Sequence, residues 1–472
     1  MTGTRPRGIR RSSVPSSRAP GAAPMTTATG RWRGAGNWSA SNSSRRSGTA
    51  RRPDPLPAGR RTPHPVVRLS TMHPTTGGRH MISRRALLQM LAAESAVVGG
   101  LSLAACAPSE PPTAGISALT DTGPALRTLA EARGLSIGTS ILAFQLHDRD
   151  YARMIGRHFS QIAEEGAGYM YDTQPLPGRW RFQRLNRTDS FAREHRQTLR
   201  IQALVWGHKT AVSGDFFDGW TPTPRWVHKG GFSRDELLAI MREHIATVMR
   251  RYKVRVREYL VVNEPLHSDS RRDELQPNVW LTTIGPEYIR LAFEQARETD
   301  PEAHLILNEW GADYLHQEHG PTNRPERYYR LVKALLAQGA PIDGVGFQFH
   351  LEAGLSKPTV ARIVDNFARY HDLGLSTHVT ELDVRVRKPI TQAKLEEQAR
   401  LYRTVIEAAI ESPSTRDVML LGFTDRYSWI TAGAHYDGSN FPDHLVGTLM
   451  DNDFRYYPSF HAVREALSVG TV

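Results

Sequence analysis

From about residue 125 onward, short apolar runs rich in Val, Ile and Leu alternate with longer stretches whose apolar residues recur every three or four positions. The runs lie at 135–141, 161–167 (a weak one), 199–206, 256–263, 304–308, 344–350, 377–383 and 418–424. The clearest helical stretches are 233–252, 286–299, 327–338 and 394–410, the last with Thr391 placed to cap it. Eight strands separated by helices cannot pair as hairpins. They predict a parallel sheet closed into a (β/α)8 TIM barrel, which needs about 250 residues or more and fits as one domain over 125–472.

Charge separates this region from what precedes it. The formal net charge of +12 suggests a nucleic-acid partner until it is divided along the chain. Residues 1–85 hold 17 arginines, no lysine and one acid, Asp54; the rest holds 43 basic against 47 acidic residues, a net of −4. The barrel region is therefore mildly acidic. Residues 1–80 read as a disordered basic extension, from which Met72 or Met81 offer alternative starts. A nucleic-acid role for that arm is the remote alternative; none is expected of the barrel.

Cys106 is the one cysteine, so the chain forms no internal disulfide and no cysteine metal cluster. Its setting is informative. Ser83-Arg84-Arg85 precedes an apolar stretch that closes on Leu103-Ala-Ala-Cys106. A charged start, apolar middle and small-residue end describe a signal peptide over 81–106, and the paired arginines match the twin-arginine type. The closing tetrapeptide resembles a bacterial lipobox, which would put a lipid on Cys106. Residues 107–124 then form a flexible tether. The expected destination is export, secreted or lipid-anchored at the cell surface, with membrane contact only through that lipid.

Two runs end in chemistry. Leu260-Val-Val-Asn-Glu-Pro265 and His378-Val-Thr-Glu-Leu-Asp-Val384 each carry a glutamate where a barrel strand meets its mouth. Strands four and seven face each other across that mouth, so Glu264 and Glu381 are placed to act on one ligand. A pair of carboxyls about 5–5.5 Å apart is the arrangement of retaining glycosidases, one donating a proton and the other attacking the sugar carbon. Repulsion between them would raise one pKa and leave the other group ionised. The alternative is that both glutamates pair with arginines at the rim. His208 and His435 fall in loops without motif support. No metal-binding, Walker or dinucleotide motif occurs where a strand and helix would support it, so neither metal nor cofactor is expected.

Residues 252–265 resemble the acid/base segment of family 10 glycoside hydrolases, the barrel-fold endo-β-1,4-xylanases, and Thr380-Glu-Leu-Asp-Val384 resembles that family's nucleophile segment. Pro341-Ile-Asp-Gly-Val-Gly-Phe-Gln-Phe-His-Leu351, Thr424-Asp-Arg-Tyr-Ser-Trp429, and Ala203-Leu-Val-Trp206 with Thr223-Pro-Arg-Trp-Val227 agree. The resemblance implies Glu264 as acid/base, Glu381 as nucleophile and Asn263 on the sugar 2-hydroxyl. It further implies Gln348 on the sugar or on Glu381, His350 and Asp383 bracing Glu381, and Trp206 and Trp429 walling the cleft. The substrate implied is xylan, cleaved inside the chain; the protein is expected to act as a monomer.

The chain also departs from the family pattern. Gln202 stands where the family has a histidine four residues before the tryptophan. Glu165 is kept, but Gly166, Tyr169 and Met170 replace the Asn, Lys and Trp that follow it, and Leu421 replaces a tryptophan. Contacts of this kind discriminate between sugars. Another β-linked glycan is therefore an alternative substrate, and a surface lipoprotein that binds glycans without cleaving them is the alternative from outside enzymology.

Overall fold

The computed structural model describes residues 117–207, 222–269, 272–315, 323–431 and 443–468. The basic extension, signal sequence, lipobox and most of the tether lie outside these residues, as do His208 and His435.

Eight strands close into a barrel: β1 Ser136–Ile141, β2 Gln161–Glu164, β3 Thr198–Ile201, β4 Glu258–Asn263, β5 His304–Glu309, β6 Gly344–Phe347, β7 Ser376–Arg387 and β8 Thr415–Leu420. Each pairs in parallel with the next, and β8 returns to β1 through Ser136↔Asp417 and Thr139↔Leu420. Closure leaves the sheet no open edge. Among the described residues no helix is long and apolar enough to cross a membrane.

The helices follow their sequence signals. Arg234–Tyr252 buries Leu237, Met241, His244, Ile245 and Val248 on one face, and a capping box joins Ser233 and Glu236 at its start. Gln392–Glu411 begins where the Thr391 hydroxyl accepts from the Lys394 N–H. The helix expected from 327 starts three residues earlier, as Arg324–Ala337, because Pro325 is tolerated in a first turn.

Five strand expectations need correction, each toward the mouth end. The third run is broken: β3 stops at Ile201, and Val205–Trp206 resumes as a separate pair of residues against Val262 and Asn263. The sixth stops at Phe347, and after Phe349 turns at φ +55° a new short strand, His350–Glu352, begins. Strand β7 does not end near Glu381 but continues to Arg387. Above the barrel it gains His350–Glu352 on one side and His444–Val446 on the other. The weak second run is a strand only over its first four residues, and the eighth run ends at Leu420.

The floor of the barrel is polar. Arg200 reaches across the interior to Asp417 at 2.6 Å and to Glu258 at 2.7 Å, and His378 Nδ1 meets Asp417 at 2.6 Å. His304 completes the layer, 3.2 Å from His378 Nε2 and 2.7 Å from Ser376 Oγ. Burial opposes the Arg200 charge, but Asp417 and Glu258 keep it protonated. Burial, with His378 beside it, brings His304 down to about 4.

Candidate active site

The mouth is built on two adjacent strands that carry the same dipeptide. Asn263-Glu264 closes β4 and Asn308-Glu309 closes β5, with Asn263 and Asn308 side by side in register. Asn308 Nδ2 donates to Asn263 Oδ1 and to Glu381 Oε1, both at 2.8 Å. Its own oxygen accepts from the Thr380 hydroxyl at 2.7 Å. Asn308 thus ties β4 and β5 to β7 at the depth of the Glu381 carboxyl. Gly346 permits this, since a Cβ there would fall 2.2 Å from Asn308 Oδ1.

Glu264 lies one residue beyond β4, at φ +53°, in the left-handed region that side-chain-bearing residues seldom occupy. Gln348 Nε2 donates to its Oε1 at 3.0 Å and Trp206 Nε1 to its Oε2 at 3.2 Å. Burial pushes its carboxyl up to about 7; the Gln348 hydrogen bond and His350 oppose the rise, and the Glu309 and Glu381 carboxylates add to it. A carboxyl so held keeps its proton near neutrality.

Glu381 faces a different set of neighbours. Besides Asn308, its Oε2 lies 3.4 Å from His350 Nε2, and His350 Nδ1 lies 3.0 Å from Asp383 Oδ2. Burial would lower the His350 pKa, but the Asp383 and Glu381 carboxylates carry it well above its ordinary value. The imidazole bridges the two carboxyl groups, which favour its protonated form. Trp429 Nε1 donates to the same Asp383 oxygen at 2.8 Å, and its ring meets His350 edge-on at 5.2 Å.

All eight residues singled out from the sequence converge here: Asn263, Glu264, Trp206, Gln348, His350, Glu381, Asp383 and Trp429. Three make contacts other than those expected. Gln348 hydrogen-bonds Glu264, not Glu381, and both tryptophans donate hydrogen bonds to carboxylates at the mouth. Sequence reasoning missed Asn308 and Glu309, although the repeat of Asn-Glu at consecutive strand ends would have exposed them.

The departures cluster on one flank. Tyr169 packs against Trp206 with ring centroids 5.1 Å apart, over Ala203, Leu260 and Ile306 inside the barrel. Burial, and after it the Glu381 carboxylate, push the Tyr169 phenol well above its ordinary value, so it stays neutral. Gly166, at φ +95°, opens toward the Arg184 guanidinium, which pairs with Glu164 at 3.0 Å and with Asp172. Met170, Gln202 and Leu421 are buried. Among the described residues no cluster of His, Cys, Asp and Glu could hold a metal ion.

Comparison with known proteins agrees with this architecture. Endo-1,4-beta-xylanase 1 of Humicola insolens is 30% identical over 361 residues, 75% of this chain and 77% of that protein. The endo-1,4-beta-xylanase of Agaricus bisporus is 31% identical over 320 residues, 67% and 89% of the two chains. The crystal structure of xylanase 10B from Thermotoga petrophila RKU-1 in complex with xylobiose superposes with a TM-score of 0.65 at 28% identity, covering 74% of this chain and 98% of that one. The pattern of Glycosyl hydrolase family 10 matches residues 125–466, and with relatives of this identity and coverage the chain belongs to that family.

Proposed function

We propose that the protein is a retaining endo-1,4-β-xylanase in which Glu381 is the nucleophile and Glu264 the acid/base. The observation that carries this reading is the unequal treatment of two carboxyls at one mouth. The half-buried Glu264 carboxyl is pushed up to about 7, whereas Glu381 is met by the His350 imidazole and an Asn308 N–H. In the first step a Glu381 oxygen forms a bond to the anomeric carbon as the glycosidic C–O bond breaks, and the Glu264 proton passes to the departing oxygen. Water then gives a proton to Glu264 and attacks the same carbon, releasing Glu381. Asn263, fixed by Asn308, faces the 2-hydroxyl of the sugar under attack. Trp206 and Trp429 hold Glu264 and Asp383 by their N–H groups while offering ring faces to the sugar.

Xylan is the substrate favoured by the relatives, one of which is seen with xylobiose. Tyr169 beside Trp206 favours a second reading, a different β-linked glycan held on the remodelled flank. Activity across xylan, glucan and mannan separates these. Xylan turnover with first-formed product of retained configuration, read by NMR, supports the proposal. Inverted product overturns the double displacement, and binding with no product from any glycan overturns hydrolysis and leaves the binding protein. Export and a lipid on Cys106 belong to the same proposal; a mature chain starting at any residue other than Cys106 by mass spectrometry removes the anchor.

A further inference from the structure

Behind Glu264 lies a buried ion pair that touches no sugar-facing surface. Glu309 is fully buried, and Arg324 Nη2 meets its Oε1 at 2.8 Å. The same Oε1 accepts from the Trp310 N–H at 3.0 Å, and Oε2 accepts from the Leu266 N–H at 3.0 Å. Leu266 is two residues beyond Glu264. Arg324 closes the loop from the other side, donating to the carbonyls of Leu266 at 3.3 Å and His267 at 3.1 Å, with its guanidinium 3.7 Å above the Trp310 ring. The carbonyl of Glu309 also accepts the Gln348 N–H at 3.2 Å, and the Gln348 side chain holds Glu264 Oε1. One pair therefore grips both the backbone that carries Glu264 and the backbone that carries its hydrogen-bond donor.

Such a grip is needed for a physical reason. Glu264 is at positive φ, and Pro265 after it has no N–H to anchor the turn. Without an outside clamp the segment would relax toward an ordinary backbone conformation and carry the carboxyl away from the sugar oxygen. General acid catalysis requires hydrogen-bond reach of that oxygen.

We propose that the Glu309–Arg324 pair is the positioning unit of Glu264, holding it and Gln348 in the one arrangement that lets the Glu264 proton reach the leaving oxygen. This rests on the reading of Glu264 as acid/base. Neither Glu309 nor Arg324 touches substrate. The charged and titratable groups facing Glu264 are Glu309 from β5, Glu381 from β7, His350 from the short strand after β6 and the Tyr169 phenol from the segment after β2. Asp313, near Arg324 and Glu309, donates nothing to Glu264 and accepts the Phe349 N–H at 3.0 Å. Burial is the first cause that raises the Glu264 carboxyl, and Glu309→Gln removes one of the two neighbouring carboxyl groups that add to it.

The test compares Glu309→Gln and Arg324→Lys with the unaltered enzyme on aryl β-xylobiosides of graded leaving-group acidity. A displaced acid harms only leaving groups that need a proton. Each variant is expected to lose on the order of tenfold or more on a poor leaving group, part of the 10²–10⁴-fold that general acid catalysis supplies, and little on a dinitrophenyl leaving group. Glu309→Gln is also expected to move the basic limb of kcat/KM to lower pH, whereas Arg324→Lys, which keeps the charge, leaves it in place. Equal losses on all leaving groups with an unmoved limb would show a merely structural role and overturn the inference. Should Glu309→Gln fail to fold, the leaving-group dependence of Arg324→Lys decides alone. Glu264→Ala, measured beside them, separates the two levels. If it spares poor leaving groups, the acid/base reading itself has failed; if it alone is selective, only the positioning role has.

Discussion

Replacing Glu264 by Gln should make the protein less stable in acid and more stable in mild alkali. The carboxyl, ordinarily at 4.5, is pushed up to about 7 in the fold, first by burial. Below the unfolded value both states hold the proton and the group imposes no pH dependence. As pH rises from 4.5 to 7 the unfolded chain releases its proton while the folded chain keeps it, so stability falls through this window. The gap corresponds to about 3 kcal/mol lost by the time pH passes 7. Glutamine carries no proton to lose and escapes that decline. It has its own cost, because Gln348 Nε2 and Trp206 Nε1 both donate to Glu264, so an amide NH2 must face one of them. That mismatch costs about 1 kcal/mol at every pH. The variant is therefore expected to be about 1 kcal/mol weaker than the natural protein near pH 4 and about 2 kcal/mol stronger near pH 8. Urea denaturation of both proteins at the two pH values measures this directly. Glu164, Asp313 and Asp425, raised likewise by burial, are common to both proteins and cancel. A stability difference that is the same at both pH values would refute the assignment of a retained proton to Glu264.

Other expectations concern residues around that carboxyl and beneath it. Asn308→Ala removes an N–H from Glu381 and another from Asn263, and the bond to a charged partner alone is worth about 1.5–3 kcal/mol. A fall in kcat of roughly ten- to a hundredfold on an aryl xylobioside is expected; an unchanged kcat would remove Asn308 from the site. Arg200→Met leaves Asp417 and Glu258 without their shared cation on the barrel floor, at a cost of about 3–5 kcal/mol. Denaturation should show that loss while activity per folded molecule is kept. The pH profile of kcat/KM should fall above about 7 as Glu264 loses its proton, and a profile flat through pH 8 would contradict that role.

The barrel was legible because each strand is an apolar run and each helix carries a stripe at helical spacing, with Ser233 and Thr391 marking two starts. Glu264 and Glu381 were legible because an acid ending an apolar run has no packing reason to be there. Legibility failed where chain geometry at the mouth takes over from periodicity. An apolar run does not reveal that β3 breaks before Ala203, or that β7 runs on to Arg387 by finding new partners above the barrel. Asn308 gave little signal alone, because a single asparagine at a strand end usually terminates it; its role depends on register with Asn263, a property of two strands together. Glu309 and Arg324 are 15 residues apart and meet only in the folded barrel. Tyr169 was legible as a departure from the family pattern but not as a ring on Trp206.

The measurement closest to the heart of the account is covalent trapping with a 2-deoxy-2-fluoro-β-xylobioside bearing an activated leaving group, followed by mass spectrometry of the digested protein. One fluoroglycosyl adduct per enzyme molecule is expected, on the peptide carrying Glu381, and none in Glu381→Ala. An adduct on any other residue, or a Glu381→Ala variant that turns over an activated aryl glycoside as fast as the natural protein, would contradict it.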